Sequence, residues 1–187
     1  MRILGIDPGL TRCGVGVIDL GASRTVTLVS VDTFTSSAEV ELSERVGSIG
    51  MRIQQLIKEV QPQAIALERV FAQQNVRSVM GTAQISGVVL MLAHQAEIPV
   101  YLHTPTEVKL AVTGSGRAAK AQVGSMVAKI LGLTEVPKPA DAADSLAIAI
   151  CHAWRAAGST ATPSGEMTAA QKAWHAAERA ATASKRG

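Results

Sequence analysis

The order of strand-like and helix-like segments is the feature that most limits how this chain can fold. Three segments rich in apolar and β-branched residues come first, joined by short turns: 3–7, 13–20 and 25–34. Such a run predicts an antiparallel meander. A helix, a strand at 64–67, a second helix at about 76–96, a fifth strand and further helices follow. The order therefore predicts an α/β fold, with a mixed five-stranded sheet flanked by helices.

The first helix is predicted from a capping pattern followed by an apolar stripe. Ser36 and Glu39 have the spacing of a capping box. Apolar side chains then recur every three or four residues from Leu42 to Val60, which is typical of an amphipathic helix. Pro62 ends the pattern because proline cannot continue a helix.

Two glycines in the second strand-like segment leave part of one strand face without side chains. Gly14 and Gly16 are two residues apart, so they lie on the same face. We expect another part of the molecule, or a ligand, to approach the backbone closely at this point.

Composition excludes several classes of protein. Hydrophobic residues make up 47% of the 187 residues, which excludes a wholly disordered chain and suits one sizeable core. Five aromatic residues are too few for the stacking platforms that read single-stranded nucleic acid. The formal net charge of +3 is compatible with nucleic acid but does not argue for it.

The cysteines and the apolar segments indicate where such a chain works. Two cysteines make no disulfide framework, so we expect a reduced, cytoplasmic setting. The most apolar stretch, Ile85–Ala93, is too short to span a bilayer, so no membrane partner is expected. Beyond residue 157 the composition changes to alanine, serine, threonine and glycine, which predicts a domain at 1–157 and a flexible tail at 158–187.

Four carboxylates carry the chemistry. Asp7 and Glu68 each close a short apolar strand, where a charged group is costly unless it is paired, solvated or bound to a metal. Asp141 and Asp144 are three residues apart and share one face of the last helix. If the two strands are parallel neighbours, all four acids meet at the carboxyl edge of the sheet. Clustered carboxylates suit Mg²⁺ or Mn²⁺, and such sites commonly perform phosphodiester chemistry.

Each acid also has a simpler interpretation when it is taken alone. Asp7, before Pro8 and Gly9, can be a turn residue. Glu68 can pair with Arg69, and the two acids of the last helix can be ordinary N-terminal helix acids. The four together favour the metal site, because two come from apolar strand ends and two from one helix face.

Three motifs carry a family resemblance. Residues 6–11 read IDPGLT and are followed by GVG at 14–16, which looks like the opening of the RuvC Holliday-junction resolvases. The sequence LERVF at 67–71 resembles the second motif of that family, and ADAADSLA at 140–147 resembles its last motif. The match runs in order over roughly residues 1–157, whereas the remaining tail departs from the shared core.

The resemblance implies a ribonuclease-H-like fold and a homodimer. It also implies a Mg²⁺-dependent endonuclease that resolves four-way DNA junctions in homologous recombination and DNA repair. The activity implied is symmetric nicking of two opposing strands, with 5′-phosphate and 3′-hydroxyl ends expected. By carry-over, the catalytic metal ligands are Asp7, Glu68, Asp141 and Asp144. Two Mg²⁺ per subunit are expected, with Mn²⁺ able to substitute. A branch-migration motor complex of the RuvA and RuvB type is the expected protein partner.

A basic stretch predicts the DNA surface. Between residues 69 and 129 there are six bases and two acids, a net charge of +4. The resemblance favours Lys109 and Lys120 as phosphate contacts and Phe71 as a ring that stacks on or wedges into junction bases. The candidate DNA-binding residues are Phe71, Arg69, Arg77, Lys109, Arg117 and Lys120. The simpler interpretations are a core phenylalanine and solubilising surface bases.

The second helix is apolar on nearly all sides, which predicts burial on nearly all sides. One face can cover the sheet and the other needs a partner, so we expect a homodimer through the helix at about 76–96. The alternative is a central helix covered by the C-terminal helices.

Three rival functions share parts of the pattern. Pre-ribosomal-RNA nucleases of the same fold, acting on structured RNA, share the Asp7 opening but are not expected to have LERVF or the helical acid pair. An actin-like or sugar-kinase-like ATPase needs two such domains, for which 187 residues are too few. A non-catalytic junction-binding protein would use the same surface as the enzyme.

Overall fold

The computed structural model describes residues 1–69 and 76–160, with their side chains described up to Arg69 and from Val79 to Ala156. Residues Met1–Ala156 form one compact unit. A short 3₁₀ turn lies at Ala22–Arg24. The strands and helices, in chain order, are β1 Arg2–Asp7, β2 Arg12–Leu20, β3 Val26–Thr35, α1 Leu42–Val60, β4 Ala64–Glu68, α2 Val76–Gln95, β5 Val100–His103, α3 Pro105–Thr113, α4 Lys120–Ile130 and α5 Ala140–Thr160.

The five strands form one mixed sheet in the order β3-β2-β1-β4-β5. The first three strands pair antiparallel, as the short turns between them require. β4 and β5 run parallel to β1, and a helix precedes each of them as a crossover. The predicted mixed sheet of five strands flanked by helices is confirmed.

Each face of the sheet is covered by its own set of helices. Buried side chains of α1 and α2 pack on one face, with Ile49, Ile53 and Ile85 fully buried there. Buried side chains of α3, α4 and α5 pack on the other face, where Leu146 and Ile150 are fully buried. The sheet is therefore the middle layer of a three-layer α/β unit.

Glycines in two neighbouring strands let α5 lie directly against the sheet. Gly5 and Gly16 are register partners, and a Cβ at Gly16 would come 2.8 Å from the Leu146 side chain. A Cβ at Gly14 would overlap the backbone carbonyl of Asp141. The expected close approach to this glycine-bearing face is confirmed, and the approaching element is the N-terminal half of α5.

The predicted start of the first helix is wrong. The helix begins at Leu42, not near Ser36, and the Ser36 side chain caps no helix. Its hydroxyl instead donates to the backbone carbonyl of Leu10 and accepts from the Arg45 guanidinium. A tertiary contact thus takes the hydroxyl that the local pattern assigned to capping.

Helix α2 is buried on one side only. Ile85, Val89 and Ala93 are fully buried against the sheet, while Met80, Leu90 and Met91 are exposed. The C-terminal helices pack on the opposite face of the sheet, so they do not cover this exposed stripe. The alternative of a central helix covered by the C-terminal helices is therefore wrong for the described residues.

Both cysteines, Cys13 and Cys151, are buried and unpaired with each other. Among residues 1–69 and 76–160, no helix has the length and hydropathy needed to cross a membrane.

Candidate active site

Two parallel strands bring the first two acids to one edge of the sheet. Asp7 is the last residue of β1, and Glu68 is the last residue of β4. The two strands are parallel neighbours with Ile6 opposite Leu67, so the residues that follow are also side by side. The condition set by the sequence pattern, that these strands be parallel neighbours, is met.

Helix α5 brings the other two acids to the same edge. Asp141 lies in its first turn, over Gly14, which is the register partner of Asp7. Asp144 follows one turn later. The charges of both helical carboxylates act on the Asp7 carboxyl, and that of Asp144 acts on Glu68. The structure thus brings together all four acids that the sequence predicted.

The crowding of negative charge raises the affinity of the strand acids for protons. Burial, and then the negative charge of Glu68, raises the pKa of Asp7 to about 8. Burial, and then the charge of Asp144, also raises the pKa of Glu68. A hydrogen-bonding interaction with Asp7 partly offsets this rise in the pKa of Glu68. Of the two strand acids, Asp7 therefore has a pKa high enough to retain a proton near neutral pH.

Two bases compensate the helical acids. Lys120 Nζ lies 3.0 Å from Asp144 Oδ2, and Arg12 Nε lies 2.9 Å from Asp141 Oδ2. The hydrogen bond to Asp144 raises the pKa of Lys120, so its charge is secure. Both bases remain largely solvent-exposed, with 76% of the Lys120 side chain and 61% of the Arg12 side chain accessible. They can therefore exchange their carboxylate partners for an anion from solution.

The acid cluster suits a hard divalent cation in its chemistry. All four donors are carboxylates, and their mutual repulsion favours an added positive charge. No group of three or more acidic, histidine or cysteine side chains in the described part of the chain is already arranged around a metal position. Ion pairs with Arg12 and Lys120 instead occupy oxygens of Asp141 and Asp144.

Comparison with known proteins identifies the family. The family described as Crossover junction endodeoxyribonuclease RuvC matches residues 3–152. The chain belongs to the RuvC family. The resemblance seen in the three sequence motifs is thereby confirmed, and so is the class of enzyme, an endodeoxyribonuclease.

Curated RuvC proteins are similar to this chain over most of their length. The crossover junction endodeoxyribonuclease RuvC of Leifsonia xyli subsp. xyli is 55% identical over 192 residues, which cover 96% of this chain and 92% of the relative. That of Saccharopolyspora erythraea is 56% identical over 156 residues, covering 83% of this chain and 78% of the relative.

Solved structures agree with the fold. Thermus thermophilus RuvC in complex with a Holliday junction substrate superposes with a TM-score of 0.81 at 38% identity, over 86% of this chain and 97% of that one. A yeast mitochondrial Holliday junction resolvase, at 14% identity, superposes with a TM-score of 0.60 over 82% of this chain and 80% of that one, a likeness of fold alone. The predicted RuvC-type, ribonuclease-H-like fold is confirmed.

The predicted DNA-binding residues divide into three groups. Lys120 and Lys109 lie close enough to the acids for their charges to lower the pKa of Glu68. Arg69 follows β4 and Arg117 lies in the loop before α4; both are exposed, and neither has an ion pair among the described contacts. Phe71 lies outside the described residues, and so does the side chain of Arg77.

Sequence reasoning about this RuvC-family chain missed Arg12. Its partner Asp141 is distant along the chain, so no local pattern joins them. Its position in the sequence could have indicated that it lies near the site, because Arg12 begins the strand that follows the turn after Asp7.

A buried histidine pair lies beside α5. The His103 Nε2 and His152 Nδ1 atoms are 3.3 Å apart, and Tyr101 stacks on His152 with ring centroids 4.2 Å apart. Burial, and then the neighbouring His103, lowers the pKa of His152 to about 4, so the ring is neutral at pH 7. The pair packs β5 against α5.

Proposed function

We propose that this chain resolves Holliday junctions by nicking two opposing strands symmetrically. The observation that supports this proposal most strongly is that Asp7, Glu68, Asp141 and Asp144 meet at one edge of the sheet. Membership of an endodeoxyribonuclease family supports the reaction class, and the Thermus thermophilus relative solved with a junction supports the substrate.

The four carboxylates are the proposed ligands of Mg²⁺, with two ions per subunit and Mn²⁺ as a substitute. A divalent ion held there supplies Lewis-acid stabilisation of the scissile phosphate and makes water a better nucleophile near neutral pH. Metal dependence fits a nuclease of this family, and oxygen donors fit a hard cation. Asp7, whose pKa is raised to about 8, must release its proton before it can act as a ligand, because coordination requires the carboxylate form.

The bases around the site are proposed to hold the DNA backbone. Lys120 lies among the acids and is exposed, so its ammonium group can move from Asp144 to a phosphate oxygen. Lys109, Arg69 and Arg117 extend the positive surface. Strand cleavage that leaves a 5′-phosphate and a 3′-hydroxyl requires no protein nucleophile, which agrees with the buried state of both cysteines. Phe71 and Arg77 remain sequence predictions.

The exposed stripe of α2 is the proposed homodimer interface. A contiguous apolar helix face with the sheet on its other side is typical of a surface that a second copy covers. A two-fold dimer would present two sites to a nearly two-fold junction. The cytoplasmic location, the boundary between a domain at 1–157 and a tail at 158–187, and a motor partner of the RuvA and RuvB type remain predictions from the sequence.

The test is cleavage of a synthetic four-way junction and of a plain duplex of the same sequence, each with and without Mg²⁺. We expect paired symmetric nicks in the junction alone, only with metal, and ends that DNA ligase seals. Asp7→Asn should bind the junction without cutting it. Cleavage of structured RNA but not of the junction would favour the RNA-nuclease alternative. Binding without cleavage by the wild type would favour the non-catalytic alternative.

A further inference from the structure

A groove of about 790 Å³ opens beside the acid cluster, on the side of Asp141. The turn between β1 and β2, the beginning of α1 and the N-terminal half of α2 form its walls. Arg45 projects from α1 into this lining, next to Thr11 of the turn. The groove is thus continuous with the site but lies apart from Lys120, which pairs with Asp144.

Arg45 is held in place by neutral groups. Its Nε donates to the Ser36 hydroxyl and its Nη2 donates to the Thr11 hydroxyl, each at 3.0 Å. Ser36 is itself fixed, because its hydroxyl donates to the carbonyl of Leu10. The guanidinium is therefore oriented by the fold before any ligand arrives.

The charge of Arg45 has no carboxylate beside it among the described residues. Four other arginines pair with acids within 3.3 Å: Arg2 with Asp19, Arg12 with Asp141, Arg52 with Asp32 and Arg155 with Glu107. Hydroxyl acceptors orient a guanidinium but do not neutralise it. A fixed, uncompensated guanidinium has three further N–H donors and suits a phosphate oxygen.

We propose that Arg45 and the Thr11 hydroxyl form a phosphate-binding subsite in this groove. It receives the backbone of the DNA strand to be cut, on the Asp141 side of the scissile phosphate, whereas Lys120 acts on the Asp144 side. This inference rests on the proposed junction binding. Arg45 here is a positioning residue, since it fixes the strand relative to the carboxylates and does not contact the reacting atoms.

The first test compares two arginines of the same helix. Arg45→Gln should weaken junction binding about three- to tenfold at roughly 0.1 M salt, and lower the slope of log Kd against log salt by about 0.9, the value for one phosphate contact. Arg52→Gln is the matched control, because Arg52 is also on α1 but is paired with Asp32 and stacked on Phe34. Its slope should equal that of the wild type. A folded Arg45→Gln with the wild-type slope overturns the inference.

A second test uses the wild-type protein, so it does not depend on the folding of a variant. Phenylglyoxal labelling followed by mass spectrometry should show Arg45 protected by the junction and Arg52 unprotected. Inorganic phosphate at the same total phosphate concentration should not protect Arg45. Equal labelling of Arg45 with and without the junction, or equal protection by inorganic phosphate, overturns the subsite. A wild type with no salt-dependent junction binding would instead contradict the proposed function itself.

Discussion

Asp7 and Glu68 end neighbouring parallel strands, and the negative charge of Glu68 adds to burial in raising the pKa of Asp7 to about 8. Burial and a neighbouring like charge both favour the protonated form of a carboxyl group. Without a metal ion, the site therefore stores a proton that the unfolded chain would release at neutral pH. This arrangement links the pH dependence of stability to the proposed chemistry.

Asp7→Asn should stabilise the metal-free protein at pH 8. The pKa of Asp7 is raised to about 8 when folded, so the folded state binds more protons than the unfolded chain between about pH 4 and pH 8. The free energy of unfolding therefore falls as pH rises through this window, and asparagine removes that loss. We expect the melting temperature of Asp7→Asn in EDTA to exceed that of the wild type by roughly 2–8 °C, about 1–2 kcal/mol.

The control is the difference in the free energy of unfolding between Asp7→Asn and the wild type, measured at several pH values. Burial and the neighbouring His103 lower the pKa of His152 to about 4. This histidine makes the free energy of unfolding rise with pH, but only below about pH 6.5. It contributes equally to both proteins and cancels in the difference. An Asp7→Asn variant less stable than the wild type at pH 8, in the absence of metal, would contradict the raised pKa of Asp7.

Gly14→Ala should displace α5 and reduce cleavage. The new Cβ would overlap the backbone carbonyl of Asp141, and a helix backbone cannot move aside as a flexible side chain can. Overpacking of this kind costs about 1–3 kcal/mol. Differential scanning calorimetry and junction cleavage measure the two effects. Gly47→Ala is the matched control, because nothing lies within 4 Å of a Cβ there and alanine stabilises a helix interior by about 0.5–1 kcal/mol. Equal stability and cleavage rates for Gly14→Ala and the wild type would contradict the packing.

The sequence predicted the sheet, the helices and the four acids because those features have local signatures. Strand ends, helical periodicity and paired helical acids can be read in short windows, and the motifs place them in order. The start of α1 was missed because Leu10 and Arg45 bind the Ser36 hydroxyl from elsewhere in the chain. The pair of Arg12 with Asp141 was missed for the same reason, since tertiary ion pairs have no sequence period.

Lys120→Met should reduce cleavage far more than binding. The positive charge of Lys120 acts on Asp144, Glu68 and Asp7 together. Its loss leaves more uncompensated negative charge on the acids and on the attacked phosphate. We expect single-turnover cleavage to fall about 10²-fold, as for other losses of site electrostatics, with less than a tenfold change in junction Kd. Lys129→Met, near the other end of α4, should change neither. Parallel losses of binding and cleavage for Lys120→Met would assign the residue to general DNA attraction.

Met91→Lys should dissociate the proposed dimer without unfolding the subunit. Met91 is 51% exposed on the apolar stripe of α2, so a lysine is tolerated in the monomer but buries a charge in a two-fold interface. Met51 on α1 is 67% exposed and outside the stripe, which makes Met51→Lys the matched control. Light scattering at micromolar concentration should give a dimer for the wild type and Met51→Lys, and a monomer of unchanged melting cooperativity for Met91→Lys. A monomeric wild type, or a Met91→Lys dimer of undiminished affinity, would remove α2 as the interface. With the dimer lost, junctions should be nicked in one strand per encounter rather than in two.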